Sequence, residues 1–204
     1  NKVFKFLKNN FKAHTYKHLV VAPFNMRKRF MKLITNEIKN AKDGKEAYIY
    51  VKLNSLVDQS YINTLYKASC AGVKIKLIIR GICSLKPGIP GVSENIEVVS
   101  IVDKYLEHSR IMIFCNGGKE KYFISSADWM IRNLDNRVEV ATPIYDEDIQ
   151  KELRSYMELQ FNDGAKARII NESQDNQYRK MDPEISVRTQ EAVYSYLEEI
   201  HNLP

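Results

Sequence analysis

His108 and Arg110 stand two residues apart in Tyr105-Leu106-Glu107-His108-Ser109-Arg110, just ahead of the apolar run Ile111-Met112-Ile113-Phe114. In an extended strand alternate side chains share a face, so the imidazole and the guanidinium would point the same way. An imidazole exchanges protons near neutrality, and a guanidinium grips phosphate oxygens through a planar fork. The pair therefore suits the handling of phosphate. Ser109, Ile111, Ile113 and Cys115 would face the other side, mostly into a core. A half-buried histidine at a strand start beside a solvated arginine would give the same spacing, and the pair alone does not choose between the two. Arg80 is the second candidate. It closes an apolar strand and opens a loop carrying Gly81, Pro87, Gly88, Pro90 and Gly91, which places its head group either at a ligand-binding edge or simply in solvent.

Other residues could assist. Lys52 and Asn54 share one face of a strand and could meet phosphate, although Lys52 also reads as an ordinary solvated strand lysine. Glu139 sits in an apolar strand, where it could orient the His108 imidazole or pair with Arg137 or another cation. Ser126 and Asp128 either contact phosphate or shape a turn, and Arg132 is a further conceivable phosphate contact. Trp129 reads as core, Arg27-Lys28-Arg29 as a solvated helix face, and His14, His18 and His201 as incidental.

The elements that must position these groups follow from periodicity. Residues 1–16 form a basic amphipathic piece, expected to be a helical extension of a preceding domain, with one α/β domain over 17–204. His18–Ala22 is a short apolar strand. Asn25 stands where a helix cap would, ahead of Phe30, Met31, Ile34 and Ile38 at helical spacing, and Asp43-Gly44 stops that helix. Ala47–Asn54 alternates like a strand, Asp58–Ala71 is a helix ended by Gly72, and Val73–Ile79 is a second strand. Strand, helix and strand in that order imply a parallel pair. The breaker-rich loop 80–95 then lies at the C-terminal end of a parallel strand, where α/β folds commonly bind ligands. Further strands are expected at 96–101, 109–115, 122–125 and 137–141, with a turn at Asn116-Gly117-Gly118. A helix over 146–161, a strand over 165–170 and a helix over 186–201 complete one mixed sheet flanked by helices.

Composition bounds the partners loosely. The 204 residues suffice for one substantial core. Thirty-one Lys and Arg against 25 Asp and Glu, with a pI near 9.1, favour polyanionic partners without excluding an ordinary surface. Three cysteines without zinc spacing fit reduced cytosolic thiols. No apolar run approaches the roughly 18–20 residues of a membrane span, and Asn1–Leu7 has no signal-peptide pattern. The first residue is Asn1, not methionine, so a piece of a longer protein is expected.

His108-x-Arg110 resembles a degenerate form of the H-x-K motif of the phospholipase D superfamily, with Ser125-Ser126-Ala127-Asp128 in place of its Gly/Ser-rich turn. The motif's aspartate position holds Cys115, which argues against a hydrolytic phospholipase or nuclease. A narrower resemblance covers nearly the whole chain. Leu53–Asp58, Arg80–Leu85, Ser93–Ile96, Tyr105–Arg110, Ser125–Met130 and Val138–Pro143 are similar, in order, to the C-terminal part of polyphosphate kinase, the large phosphohistidine-forming class.

That resemblance implies a phospholipase D-like fold and reversible transfer of the ATP γ-phosphoryl to inorganic polyphosphate. It places Arg80 and His108 on ATP-binding positions, with His108 catalytic and Arg110 a possible phosphate contact. The nucleophilic histidine would lie upstream, in a second motif absent from this sequence, so the isolated chain is expected to be inactive. The resemblance further implies Mg²⁺, with ligands outside these residues, since no carboxylate cluster here identifies itself as a metal site. Implied partners are ATP/ADP, polyphosphate, the upstream domains and a second copy of the chain, with no nucleic acid. The implied location is cytoplasmic, with peripheral attachment at the inner membrane left open. Two other classes stand beside this one: a phosphodiesterase or nuclease of the same superfamily, and a non-catalytic polyanion-binding module.

Overall fold

The computed structural model describes residues 2–9, 14–182, 184 and 186–201. Its centre is an eight-stranded mixed sheet in the order β1-β7-β6-β5-β2-β3-β4-β8. The strands are β1 (Val20–Ala22), β2 (Tyr48–Leu53), β3 (Lys74–Ile79), β4 (Ile96–Ile101), β5 (Ile111–Phe114), β6 (Lys121–Ser125), β7 (Glu139–Ile144) and β8 (Ala167–Ile170). Strands β2, β3 and β4 run parallel, in the register Leu53↔Ile79 and Ile78↔Val99. The other pairings are antiparallel. The helices are α1 (Lys2–Lys8), α2 (Met26–Lys42), α3 (Gln59–Cys70), α4 (Glu147–Phe161) and α5 (Thr189–His201). Of the expected N-terminal extension, residues 1 and 10–13 lie outside the described residues.

Period-2 burial in β2 explains how both faces of the sheet are covered. Ile49, Val51 and Leu53 turn to one face, where Phe30, Leu33 and Ile34 of α2 and Tyr61 and Leu65 of α3 close over them. Tyr48, Tyr50 and Lys52 turn to the other, toward Met157 and Phe161 of α4. Strand β5 is buried on both sides: Met112 and Phe114 join the first core, Ile111 and Ile113 the second. Trp129 is fully buried against Tyr61 and Phe30, in keeping with a core role.

Several local expectations are corrected. Asn25 stands at the N-cap of α2, but its carboxamide oxygen accepts from the Val21 N–H at 2.7 Å and does not cap the helix. Arg27 is not a solvated helix residue. Its guanidinium bridges Asp58, the N-cap of α3, and Asp135 of a π-helical turn at Arg132–Asn136. The expected strand 109–115 is regular only over Ile111–Phe114, and 137–141 is shifted to Glu139–Ile144.

Candidate functional site

The parallel strands end together, so their C-terminal edge gathers Asn54 after β2 and Arg80 after β3. The segment between β4 and β5 returns across this edge and delivers His108. The Arg80 Nε–H donates to Asn54 Oδ1 at 2.6 Å, and its Nη2 lies 3.2 Å from His108 Nδ1. A guanidinium has no lone pair to offer, so Nδ1 accepts, and in the neutral imidazole the ring hydrogen sits on Nε2. His108 is exposed while Arg80 is half-buried, and Nε2 lies on the ring edge away from Arg80.

Gly81 permits this approach. Its N–H donates to the Asn54 carbonyl at 2.8 Å, and a Cβ there would stand 2.8 Å from the same oxygen. Asp128 fixes the other side. Its Oδ1 accepts from the N–H groups of Asn54 at 2.8 Å and Ser55 at 3.2 Å, and both its oxygens pair with Arg110 at 3.0 and 3.2 Å. Arg110 Nη1 also donates to the His108 carbonyl at 3.1 Å. Asn54, Arg80, His108, Arg110 and Asp128 thus form one connected group, with the Asp128 carboxylate neutralised from behind. Arg110 is engaged by Asp128 and the His108 carbonyl, so the exposed His108 imidazole and the half-buried Arg80 guanidinium are the donors suited to phosphoryl oxygens.

Comparison with known proteins shows the family. Residues 19–190 match the family model described as polyphosphate kinase C-terminal domain 2. The chain belongs to that family. It is 48% identical over 198 residues to the polyphosphate kinase of Vibrio cholerae, covering 97% of this chain and 28% of the relative. The crystal structure of polyphosphate kinase from Porphyromonas gingivalis superposes with a TM-score of 0.93 at 46% identity, over 98% of this chain and 31% of that one. Nuc from Salmonella typhimurium, a phospholipase D family member, superposes with a TM-score of 0.55 at 14% identity over 75% of this chain and 96% of its own. That last likeness shows the fold alone. The phospholipase D-like mixed α/β fold inferred from sequence is therefore the observed one, and the chain spans less than a third of the length of these polyphosphate kinases.

Not every residue singled out in this polyphosphate kinase domain joins the group at His108. Lys52 does not share a site with Asn54. It is buried on the α4 side, paired with Glu107 and donating to Gln160 Oε1 at 2.5 Å. Glu139 contacts neither His108 nor Arg137; it accepts from Ser126 Oγ and from Asn133 Nδ2, the latter at 2.7 Å. Ser126 is thereby a strut between β6 and β7, its Oγ also accepting from the Val140 N–H at 3.0 Å. Ser109 does not enter the core but is exposed, 2.9 Å from the Tyr156 hydroxyl. Cys115 is fully buried at the far end of β5 from His108 and donates to the Glu46 carbonyl, so its departure from the motif aspartate lies outside this donor set.

Sequence reasoning gave no role to Glu107, Tyr156, Gln160 or Gln190, which converge behind His108. Burial alone would raise the Glu107 carboxyl, but the Lys52 charge and the hydrogen bonds from Lys52, Tyr156 and Gln160 outweigh it and hold it at about 2. Burial pushes the Lys52 ammonium below its ordinary value, against the pull of Glu107. The signal was present in the sequence: a lysine within an apolar strand requires a carboxylate, and Glu107 adjoins the histidine.

Magnesium finds no donor set here. The carboxylates around His108, Asp128 and Glu107, are committed to Arg110 and Lys52. Among the described residues no group of three or more His, Cys, Asp or Glu could hold a metal ion. No helix among them is long and apolar enough to cross a membrane.

Proposed function

We propose that this domain supplies the ATP-facing half of a polyphosphate kinase active site, in which the γ-phosphoryl of ATP passes reversibly to inorganic polyphosphate. The observation that carries the reading is the Arg80 guanidinium seated on His108 Nδ1 at the C-terminal edge of the parallel strands. In the first step the bond from the γ-phosphorus to the ADP oxygen breaks as a phosphorus–nitrogen bond forms to a histidine in the upstream part of the protein. In the second, that bond breaks as a terminal polyphosphate oxygen attacks. Charge shifts onto the ADP oxygen and the equatorial phosphoryl oxygens, and fixed donors there lower the barrier. Arg80, buttressed by Asn54, is such a donor. The His108 Nε2–H gives a hydrogen bond, or its proton, to the departing oxygen.

Residues 1–16 act as the link to the preceding domain, with 17–204 as the phospholipase D-like unit. ATP, ADP and polyphosphate are the small partners, and the upstream domains and a second copy of the chain are the macromolecular ones. Magnesium and the phosphohistidine belong to the upstream part. A cytoplasmic location fits these substrates.

The test uses the full-length protein. Polyphosphate formation from ATP should fall by about a hundredfold or more in His108→Gln and Arg80→Ala, with no cleavage of a chromogenic phosphodiester. His108-dependent diester cleavage would favour a phosphodiesterase. Salt-sensitive polyanion binding that survives both substitutions, without polymer synthesis in the wild type, would favour a binding module.

A further inference from the structure

Nine residues, 102–110, separate β4 from β5 without regular structure, and His108 near their end is exposed. Arg80 meets its ring and Arg110 its carbonyl; beyond these, such a histidine is placed by what holds its neighbours. That hold comes mainly from α4. The Tyr156 hydroxyl of α4 donates to Glu107 Oε2 at 2.7 Å; with its single hydrogen so committed, it accepts from Ser109 Oγ at 2.9 Å and from Gln160 Nε2 at 2.9 Å. One oxygen atom thus ties both residues that flank His108. Glu107 is also gripped by Lys52 from β2, by Gln160 Nε2 at 2.7 Å, and on Oε1 by Gln190 of α5 at 3.0 Å. Gln190 additionally pairs with the backbone N–H and carbonyl of Tyr105, each at 2.8 Å. Because Glu107 and Ser109 both reach toward α4, the side chain between them is turned the opposite way, toward Arg80.

We propose that Tyr156, seated on the Lys52–Glu107 ion pair, is a positioning residue that aims the His108 imidazole at the transferring phosphoryl group, an inference that rests on the role of His108 proposed above. Tyr156 touches no reacting atom; its effect on turnover passes through His108. A histidine whose flanks swing freely would spend most of its time away from Arg80, and misplacement of about 1 Å is enough to slow a positioned reaction substantially.

The experiment is a double-mutant cycle in the full-length protein, following polyphosphate formation from ATP. Tyr156→Phe deletes only the bridging oxygen and keeps the ring that lies 5.2 Å from the Lys52 ammonium, so the protein should still fold, with melting lowered by only a few degrees. Turnover should fall about tenfold in the His108 background and by less than twofold once His108→Gln is present. Equal losses in both backgrounds would make Tyr156 a general structural residue and overturn the proposal, as would full turnover in Tyr156→Phe. If His108→Gln alone leaves turnover intact, the reading of His108 itself fails, which is a separate outcome. Should activity in His108→Gln fall below detection, the rate of ring acylation of His108 by diethyl pyrocarbonate, measured relative to His14, takes its place. It should change in Tyr156→Phe and in Ser109→Ala, and an unchanged rate in both overturns the proposal. Ser109→Ala, an exposed substitution that cuts the second tether, should lower turnover in the same direction by a smaller factor.

Discussion

The Glu107 carboxylate ties the fold to pH in a way that can be measured. Its ordinary value of 4.5 is lowered to about 2 in the folded chain. A carboxyl depressed on folding contributes stability that is fully present above the unfolded value and is lost as pH falls toward the folded one. The side chain is 20% exposed, so little solvent screening applies. The fall from 4.5 to about 2 corresponds to roughly 3 kcal/mol at pH 7, about 2 kcal/mol at pH 3.5 and about 1 kcal/mol near pH 2.5. Glu107→Gln removes the titrating charge while keeping the shape and leaves Lys52 buried without its counter-ion. Urea unfolding of the 204-residue chain and this variant, compared at pH 7, 5 and 3.5, should show the wild type ahead by about 3 kcal/mol at the first two values. The gap should then narrow below pH 4.5. Other carboxylates, including Asp103 and Asp135 held down by Arg188 and Arg27, titrate equally in both proteins and cancel in the difference. A gap that stays constant from pH 7 to pH 3.5 would refute the ion-pair reasoning.

Three further outcomes follow from the site and its supports. Gly81→Ala, whose Cβ would meet the Asn54 carbonyl oxygen at 2.8 Å, should shift the Arg80 loop. In the full-length protein it should cost turnover more than about tenfold with a melting shift of only a few degrees, and unchanged kinetics would contradict the close approach. Arg80→Lys keeps the charge but loses the fork that holds Asn54 and His108 together. The specificity constant for ATP should fall about 10- to 100-fold, and equivalence of lysine and arginine would show that charge alone matters. Arg27→Ala leaves Asp58, 2% exposed, without its cation and should destabilise the chain by about 3 kcal/mol in denaturant titration, whereas a truly solvated arginine would cost almost nothing.

What could be read from the sequence was what depends on a few neighbouring residues. Alternation of Ile49, Val51 and Leu53 with Tyr48, Tyr50 and Lys52 marked β2, and Asp58 with Gly72 bracketed α3, because pleat and cap are local physics. Two parallel strands then brought Asn54 and Arg80 to one edge. The strand expected at 137–141 ended short of β7, which runs through Pro143 to Ile144. In the fold β1 covers β7 only over Glu139–Ala141, leaving an open edge on that side where a residue without an N–H is tolerated. Lys52 and Glu139 were misplaced for a different reason. A strand residue has two faces to choose from, and its face here is set for Lys52 by Gln160 of α4, 108 positions further on, and for Glu139 by Asn133 of the turn at 132–136, 6 positions back and unrecognised. Arg27 looked solvated because its partners, Asp58 and Asp135, are 31 and 108 residues away. The Tyr156 hydroxyl was invisible on the same ground: Glu107 and Ser109 meet it across 49 and 47 residues.

In the function proposed above, His108 assists a phosphoryl transfer whose nucleophile lies elsewhere in the full-length protein. The direct measurement incubates that protein and its His108→Gln variant with γ-labelled ATP and follows acid-labile, base-stable label on protein beside polymer formation. Label on both, with polymer made only by the wild type, is the predicted result. Label on neither would contradict a phosphohistidine route, and label on the wild type alone would make His108 itself necessary for phosphorylation rather than a helper in its onward transfer.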